Sequence, residues 1–245
     1  MRNIRSYVDQ PLAVGQRITL PEDSSAHLLR VLRLAPGDVV TLFNGDGHDY
    51  SARLLTAAKR GAEAEITGRQ PVPRESPLRI TLVQGVARGE KMDLVLQKAT
   101  ELGVDAFTPV VTERTEVRLD AERAGKRMAH WRGVVAAACE QSGRAVLPRL
   151  SQPTALSAYA GDEQADIKLV LDPTGDVGLS SVAPGAGQSI ALVVGPEGGL
   201  SEQDLATLRA AGFRGLRLGP RILRTETAGL AAVAALQALY GDLRG

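Results

Sequence analysis

From Leu78 onward, short apolar runs alternate with amphipathic stretches, and this alternation constrains the fold more than any other feature of the chain. The runs at 79–84, 106–111, 167–171, 190–194 and 216–218 read as buried strands. Between them lie helix patterns at 91–102, from Asp120 to near Gly143, at 201–211 and at 226–240. In the first of these, Met92, Val95, Leu96, Ala99 and Leu102 keep helical spacing, and Gly103 supplies the stop. Asp120 is placed to cap the second, and Ser201-Glu-Gln-Asp204 approximates a capping box for the third. The last is apolar on several faces, which predicts burial against a partner. One helix per crossover specifies an α/β domain with a mainly parallel sheet.

Residues 1–70 follow a different rule. Strand candidates at 4–8, 17–20, 38–43, 50–55 and 62–67 are separated by Pro, Gly and Asp turns, and Gly45-Asp-Gly47 reads as one such turn. A small β-barrel is the simplest closure. One helix interrupts it at 26–33, capped from Asp23 and expected to turn Leu28, Val31 and Leu32 toward the barrel. His27, Arg30 and Arg33 then fall at three-residue steps, a cationic strip with Arg5 nearby that suits RNA phosphates or, equally simply, water. Three prolines between Pro71 and Pro77 mark a linker, dividing the chain into 1–70, 71–77 and 78–245.

The net charge of +1 and pI of 7.9 lie well below the strongly basic range expected of a nonspecific nucleic-acid binder, so overall charge by itself argues for no partner. Most of the cations are Arg, which suits bidentate phosphate recognition but also follows from a GC-rich genome. Cys139, the single cysteine, sits in an apolar helix pattern and reads as a core thiol. The three histidines are scattered and lack ligand spacing, so no metal site is expected. No run of eighteen apolar residues and no leader pattern occurs, and a soluble, cytoplasmic protein is expected.

Two loops carry the candidate chemistry. Gly195-Pro-Glu-Gly-Gly199 and Gly219-Pro-Arg-Ile-Leu-Arg224 each follow a strand candidate and lead into a helix, so both fall where open α/β sheets collect ligands. Neither a Walker loop nor a dinucleotide fingerprint is present. Glu197 stands at the first loop's tip as an acceptor, a proton-removing base or a local cap. In the second, Ile222 and Leu223 line an apolar slot bracketed by Arg221 and Arg224. Such a slot suits a flat heterocycle better than a triphosphate, and an adenine-bearing sulfonium is one candidate.

These loops, together with His27-Leu-Leu-Arg-Val-Leu-Arg33, Arg88-Gly-Glu-Lys-Met92, Lys98-Ala-Thr-Glu-Leu-Gly103 and Ala138-Cys-Glu-Gln-Ser142, closely resemble the bacterial 16S rRNA (uracil-N3) methyltransferase family of the SPOUT class. The resemblance implies a PUA-like N-terminal barrel, an α/β domain with a C-terminal trefoil knot, S-adenosyl-L-methionine as donor, and a homodimer acting on 16S rRNA, by preference within the small ribosomal subunit. By motif it implies a cofactor site at Leu171, Gly195, Glu197, Leu218, Gly219 and Leu223. Arg224, Glu197 and Glu226 become the candidate catalytic residues, and Arg5, His27, Arg30, Arg33, Arg88 and Arg221 the candidate RNA contacts. Two alternatives compete: a relative methylating another nucleoside, such as a ribose 2′-oxygen, and a noncatalytic RNA-binding assembly factor.

Overall fold

The computed structural model describes residues 4–58, 61–117 and 121–244. They form two compact units, the first comprising residues 1–75 with 136–147, the second 76–135 with 148–245.

The first unit is built on a five-stranded sheet. Its elements are β1 (Arg5–Tyr7), β2 (Arg17–Thr19), α1 (Glu22–Ala26), β3 (Val39–Phe43), β4 (His48–Ala58) and β5 (Gly61–Pro71). Strand order is β1-β3-β4-β5-β2, antiparallel except for the parallel β1–β3 pair. Register shifts between β4 and β5 at Ser51/Ala52 and Leu54/Thr56 bend the long hairpin, as extra residues in a ladder do. Its apolar face closes over Val8, Leu20, Leu28, Leu42, Leu54 and Ile66. Among the described residues β1 and β2 end the strand order without pairing with each other, so no ladder closes the barrel expected from sequence.

Two local readings of this unit need correction. The helix starts at Glu22 after Pro21 and carries no side-chain cap, so Asp23 lies inside its first turn. Residues His27–Val31 then form a π-helical turn. A wider turn rotates the face: Leu28 is fully buried and Leu32 packs on the core, but Val31 is 66% exposed.

The second unit contains β6 (Arg79–Gly85), α2 (Glu90–Glu101), β7 (Ala106–Val111), α3 (Ala121–Ser142), β8 (Arg149–Leu150), β9 (Thr154–Ala155), α4 (Leu156–Asp162), β10 (Ile167–Leu171), β11 (Ser189–Val194), α5 (Glu202–Ala210), β12 (Arg214–Leu216) and α6 (Thr225–Tyr240). The last residues of α3 group with the first unit, a division the sequence did not indicate. Asp120, expected to cap α3, lies outside the described residues. All strand pairs are parallel, in the order β12-β10-β11-β6-β7-β8, with β9 also on β7.

Alternation along the central strands explains the layering. Ile80 and Leu82 of β6 and Ile190, Leu192 and Val194 of β11 pack with residues of α2, α3 and α6. Val83, Ala191 and Val193 face the other way, with residues of α4 and α5. Helix α5 opens on a true capping box: Ser201 Oγ accepts from Asp204 N, and Asp204 Oδ2 accepts from Ser201 N, each at 3.0 Å.

Candidate active site

The carboxyl ends of β10, β11 and β12 open onto a cavity of about 500 Å³, large enough for a nucleoside-sized ligand. Its lining includes all six residues expected to hold a cofactor: Leu171, Gly195, Glu197, Leu218, Gly219 and Leu223. Arg221, Ile222 and Arg224 also line it, as do Asp172 and Thr225, for which the sequence carries no expectation.

The first loop is tightly built. A Cβ on Gly195 would stand 3.0 Å from Gly199 C and Leu200 N, so a larger residue there would push the loop's own backbone outward by a few tenths of an ångström. Gly85 at the end of β6 meets the same loop from below, where a Cβ would lie 2.5 Å from Pro196 N. Arg114 Nη1 donates to Gly198 O at 3.1 Å. Glu197 Oε1 accepts from Arg88 N at 3.0 Å and stands 3.4 Å from Lys91 Nζ. Burial pulls the Glu197 carboxyl upward, but the bonds from the Arg88 backbone and Lys91 outweigh it and hold the group below the usual carboxylate range. Asp172 behaves alike: burial raises it, but Thr174 and Arg209 more than compensate.

The second loop is open. Gly219 turns with φ of 72°, in the left-handed region that favours glycine. Arg221 and Arg224 are exposed, Ile222 is 85% exposed, and neither arginine side chain has a polar partner among the described residues. Arg224 precedes α6, and its carbonyl accepts from Thr227 N and Ala228 N. Glu226, in the first turn, leaves Oε2 buried and without a hydrogen-bond partner among the described residues.

Beneath both loops lies Gln84, a polar residue at the end of an apolar strand and fully buried. An unmade buried hydrogen bond costs about 1–3 kcal/mol; the amide nitrogen avoids this by sharing its two hydrogens among Gly85 O (3.0 Å), Thr225 Oγ1 (2.9 Å) and Gly195 O (3.4 Å). The lone amide at the foot of the 79–84 run was the signal that would have found it.

The expected RNA contacts separate. His27, Arg30 and Arg33 are all exposed, but Arg33 has left the helix with φ of 57°, so the three do not form a regular helical strip. Arg88 is exposed and paired with Glu116. Arg5 is not a surface contact. Its side chain is 6% exposed, pairs with Asp49 at 2.6 Å, donates to Cys139 O and Arg144 O, and stacks on Phe43. A guanidinium so enclosed is structural, since exposing it to phosphate would strand Asp49 in the core. Cys139 is fully buried, and burial pushes its thiol up to about 11, which leaves it unreactive.

A model for the RNA methyltransferase domain matches residues 74–237, and one for the RNA methyltransferase PUA domain matches 20–67. The chain belongs to the RNA methyltransferase family. Relatives named ribosomal RNA small subunit methyltransferase E include one from Mycobacterium bovis, 34% identical over 95% of this chain and 90% of its own. That from Bacillus subtilis is 31% identical over 89% of each. Among solved structures, the protein of that name from Neisseria gonorrhoeae, bound to S-adenosyl methionine, is 43% identical with a TM-score of 0.93, covering 99% of this chain and all of the other. A Legionella pneumophila methyltransferase with bound SAM is 39% identical with a TM-score of 0.95 at the same coverage. Family membership thus spans both units.

Proposed function

We propose that the protein transfers a methyl group from S-adenosyl-L-methionine to N3 of a uridine in 16S rRNA. The observation that carries this reading is the convergence of all six expected cofactor residues, with Arg221 and Arg224, on one cavity. The lining suits the donor: leucines and loop backbone for adenine, and the carboxylates of Asp172 and Glu197 for its cationic groups. When bound, the donor supplies an electrophilic methyl on a sulfonium. The names and bound ligands of the relatives agree with this chemistry.

Uracil N3 is a poor nucleophile until it loses its proton, so the chain must stabilise the anion or take up that proton. Arg224, which lines the cavity and has no polar side-chain partner among the described residues, is assigned to a base carbonyl, where its charge offsets the developing anion. Glu197 is better suited to anchoring its loop than to accepting a proton, because its Oε1 is engaged and its basicity lowered. The proton acceptor in this reading is Glu226, whose Oε2 has no competing partner among the described residues. Its carboxylate does not line the cavity, so the role requires the base to approach the first turn of α6. His27, Arg30 and Arg33 on one unit, and Arg88 and Arg221 on the other, are the remaining assigned RNA contacts. A C-terminal trefoil knot, a homodimer, a cytoplasmic location and an assembled small subunit as substrate belong to the same reading.

Nucleoside mass spectrometry of 16S rRNA from cells lacking the gene tests the proposal. Loss of 3-methyluridine, restored by the wild-type gene, is the expected result; an unchanged level overturns it.

A further inference from the structure

We propose that Gln84 and Thr225 form a buried latch that sets the two loops in register, making Gln84 a positioning residue for methyl transfer; the inference rests on the methyltransferase reading. Gln84 Nε2 donates to Thr225 Oγ1 at 2.9 Å, and Thr225 Oγ1 donates to Gly195 O at 2.6 Å. The chain of bonds therefore runs from the end of β6, through the residue that follows Arg224, to the first residue of the Gly195–Gly199 turn. Its direction is defined. Three oxygens surround Nε2, two of them carbonyls that accept only, so the reversed amide would set oxygen against oxygen.

Stability does not explain this pair. Gln84 Oε1 stays buried without a partner among the described residues, a cost that an apolar pair of similar shape would avoid. What the polar pair provides is direction: hydrogen bonds fix where Gly195 O lies relative to the start of α6, whereas methyl groups would pack over a range of offsets. Thr225 lines the cavity but Gln84 does not, so an effect of Gln84 on the ligand must pass through Thr225 or Gly195.

The test uses the full chain with Gln84→Leu, Thr225→Val, Thr225→Ser and the Gln84→Leu/Thr225→Val double variant. S-adenosylmethionine affinity is measured by calorimetry, turnover on small subunits lacking the modification, and folding by thermal melting. Gln84→Leu and Thr225→Val should each weaken the cofactor about tenfold and slow turnover more than that, with the double variant no worse than either single change. Thr225→Ser, which keeps the hydroxyl, should restore binding, and the double variant should melt near wild type. The latch is overturned if Gln84→Leu binds and turns over as wild type does, if Thr225→Ser is as impaired as Thr225→Val, or if the losses follow melting temperature alone. Wild-type protein that binds no S-adenosylmethionine would instead overturn the methyltransferase reading, and the latch with it.

Discussion

The two Gly-Pro loops look alike in sequence and differ in construction. In the first, Gly85, Arg114, Arg88 and Lys91 grip the turn from several sides, and Glu197 is held by a backbone amide. In the second, Arg221, Ile222 and Arg224 stand in solvent around a glycine turn with open space beside it. The difference assigns the labour: a gripped loop keeps a cradle's shape before ligand arrives, while an open one leaves charge available for whatever is placed against it.

The most severe challenge to the gripped loop is Gly85→Ala. A Cβ there meets backbone rather than a movable side chain, so the variant should lose about 3 kcal/mol or more in denaturant unfolding, with cofactor affinity falling alongside. Retention of wild-type stability would mean that the two backbones are not held together.

For the open loop, Arg224→Ala should lower turnover by about two to three orders of magnitude while leaving the calorimetric cofactor affinity within a few-fold. Equal losses in both would move Arg224 into cofactor binding and erase the contrast between the loops.

Acid should act on the gripped side. Glu197 and Asp172 are both lowered below their ordinary values, so the stability they contribute is present above about pH 4 and disappears as pH falls through their native-state range. Thermal melting from pH 6 to pH 3 should show a steeper decline in wild type than in Glu197→Gln. Parallel profiles would remove Glu197 as the anchor.

The smallest effect is expected at Ile222. Replacing this exposed side chain with Ala should change unfolding free energy by no more than about 0.5 kcal/mol, so any loss of turnover would report contact with substrate.

Much of the second unit was legible because strand and helix periods are local. The 106–111 and 167–171 runs became β7 and β10 with the same limits, and Ser201 and Asp204 formed the expected cap. The run at 216–218 shifted to Arg214–Leu216, since pairing with β10 decides where a short strand begins. The inward face of the segment around residues 26–33 is not legible in sequence, because a π turn changes which side chains face inward without changing composition. The burial of Arg5 is hidden for a related reason: Asp49 is 44 residues away, and nothing near Arg5 in sequence announces a buried partner.

Sequence alone determined the class of each unit and the position of both loops, because strand ends, glycine turns and helix starts are written in neighbouring residues; the six residues around the cavity came from the family resemblance. Tertiary structure decided which loop is gripped, that Glu197 is an anchored carboxylate and Arg5 a core cation, and that Gln84 reaches Thr225 across 141 positions. Burial and hydrogen-bond partners depend on groups far apart in the chain, and only folding brings them within 3 Å.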